Sequence, residues 1–175
     1  MTAAVPPADD RMTPLVAMAL AGSGIVFLLA AAGLLNGLVS PLPIPDDLRS
    51  AAVVAHLGSV LLALPLGISQ LLLPKGTFRH RTVGYVWLAL MTFTALVSFA
   101  IHTINPGGLS PIHFFSVLTL VFVPIIVIQA RRGQVEKHRR AVLGLIIGGL
   151  AIAGLFTFLP HRALGVLVLR LIGHG

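Results

Sequence analysis

Residues 51–73 read AAVVAHLGSVLLALPLGISQLLL and contain no Asp, Glu, Lys or Arg. A helix needs about 20 mostly apolar residues to cross the hydrocarbon core of a bilayer. Four other stretches have the same character: residues 13–38, 82–104, 112–130 and 141–159. The short connectors between them carry the Pro and Gly residues typical of turns. The sequence therefore predicts an all-α integral membrane bundle of five transmembrane helices in a single domain, residues 1–175, with a short C-terminal interfacial segment.

The composition excludes an ordinary water-soluble protein. Of the 175 residues, 57% are hydrophobic and only 10% are charged, and the mean hydropathy is +1.00. Soluble domains carry about 25% charged residues. Cysteine is absent, which excludes disulfides, thiolate metal sites, iron–sulfur clusters and covalently attached c-type haem. Histidine, present seven times, is therefore the main candidate for ligand chemistry.

The basic residues predict the orientation of the helices, because Lys and Arg concentrate in the cytoplasmic loops of membrane proteins. Nine of the twelve fall on the side of the N-terminus and of the loops after the second and fourth spans. These are Arg11, Lys75, Arg79, Arg81, Arg131, Arg132, Lys137, Arg139 and Arg140. We therefore expect the N-terminus in the cytoplasm and the C-terminus outside. The basic side is expected to contact anionic lipid head groups rather than nucleic acid.

The histidines fall into two layers. The predicted topology places His80 and His138 near the cytoplasmic surface and His56 and His113 near the outer surface. Imidazole in a membrane helix is usually paired, ligated or at the interface. The layering predicts two pairs on alternate helices, His56 with His113 and His80 with His138. The alternatives are that the inner basic clusters only anchor the helices, that His56 hydrogen-bonds to a neighbouring helix, and that His102 and His113 only cap the outer hairpin or meet lipid head groups.

Two imidazoles on facing helices are suited to bind a haem iron axially, and Arg81 and Arg139 would then meet the haem propionates. This layout resembles the two-haem b-type transmembrane cytochromes in topology and histidine placement, and it implies haem b and transmembrane electron transfer. A different use of the outer histidines is metal handling. His56, His102 and His113 are candidate ligands for zinc or copper.

A second resemblance covers about residues 50–165. Its most specific parts are the two His-Arg helix openings, Arg79-His80-Arg-Thr-Val-Gly84-Tyr85 and Ala130-Arg-Arg-Gly-Gln-Val-Glu136-Lys-His138-Arg139. His56-Leu-Gly58 precedes them, and His113-Phe-Phe-Ser lies between them. In this order the features resemble the bacterial membrane-protein family catalogued as domain of unknown function 2306. The resemblance implies a polytopic inner-membrane protein and no particular activity.

A non-enzymatic function is the remaining alternative, as an assembly factor or accessory subunit. Small residues at steps of four, such as Ala55, Ser59, Ala63 and Gly67, allow close helix packing within the chain, in an oligomer or with a partner membrane subunit. The spans contain no carboxylate, which counts against a proton-coupled transporter. The chain has neither an H-E-x-x-H nor a G-x-S-x-G motif, so no hydrolytic enzyme class is indicated.

Overall fold

The structure, a computed structural model, describes residues 50–101 and 108–159, together with residues 17, 21, 162, 165, 166, 168 and 169. Within these residues the chain forms helices and no strand. Four long helices follow one another: α1 (Ala51–Leu72), α2 (Phe78–Ser98), α3 (His113–Arg131) and α4 (Val135–Phe156). Each is long and apolar enough to cross a membrane. The prediction of an all-helical membrane protein is therefore confirmed.

The first predicted span, residues 13–38, lies almost wholly outside the described residues, and so does most of the C-terminal interfacial segment. The helices α1 to α4 correspond to the second to fifth predicted spans. The number of five spans and the orientation in the membrane stay predictions.

Two helices begin before the apolar stretches that predict them. Helix α2 starts at Phe78 rather than at residue 82, because the Thr77 side chain accepts a hydrogen bond from the His80 N–H at 3.1 Å and caps the helix. Helix α4 starts at Val135 rather than at residue 141. In both cases the first turn contains charged residues, so a search for apolar residues leaves it out. Helix α2 also ends at Ser98 rather than at residue 104. The N–H groups of the three residues after Ser98 donate to carbonyls three residues back instead of four.

Two tight turns bring the basic residues to one end of the bundle. Residues 73–77 connect α1 to α2, and residues 132–134 connect α3 to α4. Gly76 and Gly133 have φ angles of 76° and 66°, which side chains other than glycine rarely adopt. Such short connections make consecutive helices antiparallel neighbours. We call this end, residues 73–81 and 131–140, the basic end, and the opposite end of the bundle the far end.

The core lies along the middle of the four helices. Helix α2 packs between α1 and α3, and α4 packs against α3. The most deeply buried apolar side chains come from all four helices: Ala63, Leu64, Trp87, Met91, Ile126, Leu145, Ile146 and Leu150. Glycines let α4 approach α3 closely, because a Cβ atom at Gly144 would lie 3.0 Å from the ring of Phe122.

Helix α4 is not regular along its whole length. The segment Ile146–Ile152 is a π-helix, between the α-helical parts Val135–Leu145 and Ala153–Phe156. It contains adjacent glycines, and a Cβ atom at Gly149 would lie 3.2 Å from the Thr119 hydroxyl and 3.3 Å from the Met91 methyl group. The π-helical segment therefore lets α4 pass closely beside both α2 and α3.

Candidate functional site

His80 and His138 lie side by side at the basic end. His80 is in the first turn of α2 and His138 is in the first turn of α4. Their ring centres are 6.5 Å apart and their ring planes are inclined at 80°. Both side chains are half-buried. The structure thus brings together the two residues that the sequence analysis expects as the inner pair, which we call the basic-end pair.

The hydrogen bonds of the basic-end pair use one nitrogen of each ring. His138 donates from Nδ1 to the backbone oxygen of Ile126, at 3.0 Å. With the amide of Gln70 turned to satisfy its neighbours, its nitrogen lies 3.2 Å from His80 Nδ1 and from the His80 carbonyl, while its oxygen accepts from the Gly84 N–H at 3.2 Å. No hydrogen bond among the described residues uses Nε2 of either ring.

The basic-end pair therefore belongs to a polar path that crosses the bundle. Gln70 comes from α1, His80 from α2, the Ile126 carbonyl from α3 and His138 from α4. Gln70 is only 5% exposed. The Gln70 amide donates to Nδ1 and to the carbonyl of His80 and accepts from the Gly84 N–H, so both polar atoms of its side chain are satisfied.

Cations surround the basic-end pair. Arg81 and Arg139, the expected propionate partners, follow the two histidines directly in sequence and are exposed. Lys75 donates from Nζ to the carbonyls of Gln70, Leu71 and Leu73 at 3.0, 2.7 and 2.9 Å, so it caps the C-terminal end of α1. Partial burial lowers the pKa of Lys75, and the charge of Arg139 lowers it further. Lys75 and Arg139 are thus close enough to repel each other.

At the far end, His56 is bonded to α2. It donates from Nδ1 to the Thr94 carbonyl at 3.1 Å. Beside it, the hydroxyls of Ser59 and Thr94 are 2.7 Å apart, and Ser59 also donates to the His56 carbonyl at 2.8 Å. Ser59 and Thr94 are both buried. His56 is therefore part of a hydrogen-bonded contact between α1 and α2.

His113 is bonded more completely than His56. It is 4% exposed and stacks on Phe99, with ring centres 5.6 Å apart. Its Nε2–H donates to the Ser98 carbonyl at 3.1 Å, and its Nδ1 accepts from the Ser110 N–H at 2.9 Å. Because Ser98 is the last residue of α2, this imidazole caps that helix. Both ring nitrogens are occupied within the protein.

The two far-end histidines are thus joined through α2 rather than to each other. Their acceptors, the carbonyls of Thr94 and Ser98, are one helical turn apart. In this arrangement His113 offers no ring nitrogen to a haem iron. His102, the third expected metal ligand, lies outside the described residues. Among the residues that the structure does describe, no group of three His, Cys, Asp or Glu side chains could hold a metal ion.

Two buried polar residues close to the histidine layers are not among the site residues predicted from the sequence. Gln70 is the only amide side chain in the apolar stretch 51–73, and this is a sequence feature from which its importance could have been inferred. Trp87 is 1% exposed, and its Nε1–H has no hydrogen-bond partner in the described part of the chain. A Cβ atom at Gly67 would lie 2.9 Å from that nitrogen, so the indole packs directly on the α1 backbone. This contact cannot be inferred from sequence spacing.

The comparison with known families agrees with the four-helix architecture. The family described as predicted membrane protein DUF2306 matches residues 53–159, which is more than half of the chain. The chain belongs to the DUF2306 family. The match contains both histidine layers and both turns of the basic end, and it confirms the resemblance stated from the sequence. No curated protein and no solved structure matches this DUF2306 protein.

Proposed function

We propose that this DUF2306 protein binds one b-type haem, with His80 and His138 as its axial ligands, and serves in electron transfer at the basic end. The observation that supports the proposal is the separation of the two rings. Imidazole nitrogens lie about 2 Å from a bound metal, so two imidazoles on opposite sides of one metal hold their ring centres roughly 6 Å apart. The observed separation is 6.5 Å.

The hydrogen bond of His138 favours ligation through its Nε2. Metal-bound histidines commonly donate their other ring N–H to a carbonyl or carboxylate, which fixes the ring orientation. His138 already donates from Nδ1 to the Ile126 carbonyl. At His80 the Gln70 amide nitrogen lies 3.2 Å from Nδ1 and fixes the orientation of the ring.

The number of available ligands favours haem over a bare metal ion. A structural zinc site needs four protein ligands and a catalytic one three, and the described residues contain no group of three. A haem iron takes no more than two ligands from the protein, which His80 and His138 could provide, and the haem would supply one-electron redox chemistry. Arg81 and Arg139 carry the positive charge that haem propionates require.

The visible spectrum of the purified protein, expressed with haem supplied, tests the proposal. We expect a Soret band that is lost in both His80→Ala and His138→Ala and kept in His56→Ala. The matched far-end variant shows whether any loss is specific to the basic-end pair. No Soret band in the wild type, or an unchanged band in His80→Ala, would overturn the proposal. Loss of half the absorbance in His56→Ala would instead favour the two-haem arrangement with His56 and His113.

A non-enzymatic role as an accessory or assembly subunit is the second candidate. It is favoured by the path from Gln70 through His80 and His138 to Ile126, which holds four helices together without any cofactor. In this case the basic-end pair is structural. Purification in mild detergent would then give a colourless protein in a stable complex with a second membrane subunit or with itself. A coloured monomer would exclude this candidate.

A further inference from the structure

The two rings of the basic-end pair have Nδ1 partners of opposite character. The Ile126 carbonyl can only accept a hydrogen bond, so the Nδ1 of His138, 3.0 Å away, carries a hydrogen. A neutral imidazole has one N–H, and the Nε2 of neutral His138 therefore has a free electron pair. At His80 the partner of Nδ1 is instead the Gln70 amide, 3.2 Å away. The tautomer of His80 thus depends on which end of that amide faces the ring.

Two backbone groups decide the orientation of the Gln70 amide. One end of the amide lies 3.2 Å from the His80 carbonyl, which can only accept, and the other lies 3.2 Å from the Gly84 N–H, which can only donate. The nitrogen must therefore face the carbonyl and the oxygen must face the N–H, independently of the ring. The second hydrogen of the same nitrogen is donated to His80 Nδ1, so the hydrogen of the neutral His80 ring lies on Nε2.

Close packing keeps the Gln70 amide in this orientation. The residue is 5% exposed, so its hydrogen bonds are shielded from solvent. A Cβ atom at Gly84 would lie 3.1 Å from the amide, and the glycine therefore lets the amide reach the α2 backbone. A turned amide would place its oxygen against the His80 carbonyl and its nitrogen against the Gly84 N–H, which would cost two hydrogen bonds in a buried place.

We propose that Gln70 is a positioning residue that fixes His80 and His138 in opposite tautomers and thereby makes them unequal ligands. Where haem is concerned, this inference rests on the proposed function. A ring nitrogen binds iron through its electron pair, and the hydrogen bond of the other nitrogen decides which one is free to do so. His138 has a free Nε2, whereas His80 binds through Nε2 only after its hydrogen moves to Nδ1 and Gln70 turns. The axial position of His80 is therefore the one that an external ligand can take.

The tautomers are measured without haem, by ¹⁵N NMR of the full haem-free chain in detergent with labelled histidine. Protonated and unprotonated ring nitrogens differ in their ¹⁵N shifts, and His80→Ala and His138→Ala assign the signals. We expect a hydrogen on Nε2 of His80 and on Nδ1 of His138. A hydrogen on Nδ1 of His80 would overturn this proposal whatever the visible spectrum shows. A wild type without a Soret band overturns the proposed function instead, so the two failures are distinct.

Two substitutions of Gln70 separate tautomer control from a merely structural role in the haem-loaded protein. Gln70→Glu offers acceptors to the Gly84 N–H and to a His80 Nδ1–H, so haem should bind about tenfold more tightly and its reduction potential should fall. Gln70→Leu removes the donor to Nδ1, so haem affinity should not fall although the protein is less stable. Ser69→Ala is the matched control, because Ser69 donates only to the Leu66 carbonyl, and it should change neither quantity. Weaker haem binding in Gln70→Leu, or an unchanged potential in Gln70→Glu, would contradict tautomer control.

Carbon monoxide identifies the exchangeable axial position, because it binds ferrous iron where no protein ligand remains. We expect the reduced wild type to bind carbon monoxide about tenfold faster than Gln70→Glu, in which the carboxylate holds His80 in its ligating tautomer. The Ser69→Ala control should match the wild type. Equal rates in the wild type and Gln70→Glu would show that Gln70 does not govern the axial position of His80.

Discussion

The two histidine layers contain the same side chains at opposite ends of the same bundle, yet they are bonded in different ways. At the far end, His56 and His113 donate to carbonyls of α2, and His113 uses both ring nitrogens. At the basic end, His80 and His138 each use Nδ1 and leave Nε2 unused by the described residues. The difference is that His113 is committed to helix contacts with both ring nitrogens, whereas His56, His80 and His138 each use one ring nitrogen within the described residues.

The cause of the difference is the backbone near each ring. Helix α2 ends at Ser98, whose carbonyl accepts from the Ile101 N–H and also from the Nε2–H of His113. At the basic end α2 and α4 begin with His80 and His138 in their first turns, so the free backbone groups of these two helices are N–H donors. Gln70 and the Ile126 carbonyl satisfy Nδ1 there, and the carbonyls at the end of α1 accept from Lys75 instead.

The largest expected difference in stability is between two single variants, each of which lacks one histidine of one layer. We expect His113→Ala to lower the free energy of unfolding by about 2–3 kcal/mol, because it leaves the buried Ser110 N–H without its acceptor and removes both the second hydrogen bond of the Ser98 carbonyl and the stacking on Phe99. His80→Ala should cost less than about 1 kcal/mol, since Gln70 keeps its bonds to backbone groups of α2. Chemical unfolding in detergent micelles measures both. Equal losses would mean that both layers are structural.

A second variant tests how closely α1 and α2 pack in the core between the two histidine layers. Gly67→Ala places a Cβ atom 2.9 Å from Trp87 Nε1, and the resulting overpacking should cost about 2 kcal/mol. Gly58→Ala on the same helix meets nothing within 4 Å and should be neutral or stabilising by about 0.5–1 kcal/mol. The same unfolding assay separates them. A tolerated Gly67→Ala would show that α1 and α2 are not closely packed at this depth.

At the basic end, Gln70 is expected to link α1 to His80 on α2. Gln70→Leu removes the link between α1 and His80 and should cost about 1 kcal/mol, within the range for hydrogen bonds between membrane helices. Ser69→Ala is the matched control, because Ser69 bonds only to the Leu66 carbonyl of its own helix. If the two variants unfold alike, the amide does not bridge the helices.

The smallest expected effect concerns the hydroxyl contact beside His56. Thr94→Val removes the hydrogen bond to Ser59 between α1 and α2 and should cost about 0.6 kcal/mol. Thr92→Val removes only a bond to the Leu88 carbonyl in the same helix and should change stability less. A double-mutant cycle of Ser59→Ala with Thr94→Val measures the coupling, and a coupling near zero would contradict the contact.

Much of the architecture follows from the sequence. The apolar stretches predict α1 and α3 to within one residue at each end, because these helices begin and end where the apolar residues do. The sequence misses the starts of α2 and α4 by four and six residues, since these helices begin with charged turns that hydropathy does not detect. The π-helical segment Ile146–Ile152 has no sequence pattern that predicts it.

The sequence by itself determined that this is a helical membrane protein, which family it belongs to, and in which layers of the bundle its histidines lie. These properties depend on composition and on spacing along one helix, which a linear chain records directly. Only the tertiary structure decided which atoms the histidines bond to. The acceptors of His113 and His138 are backbone oxygens, and their availability depends on where helices end and how they pack. The sequence of side chains does not record that property.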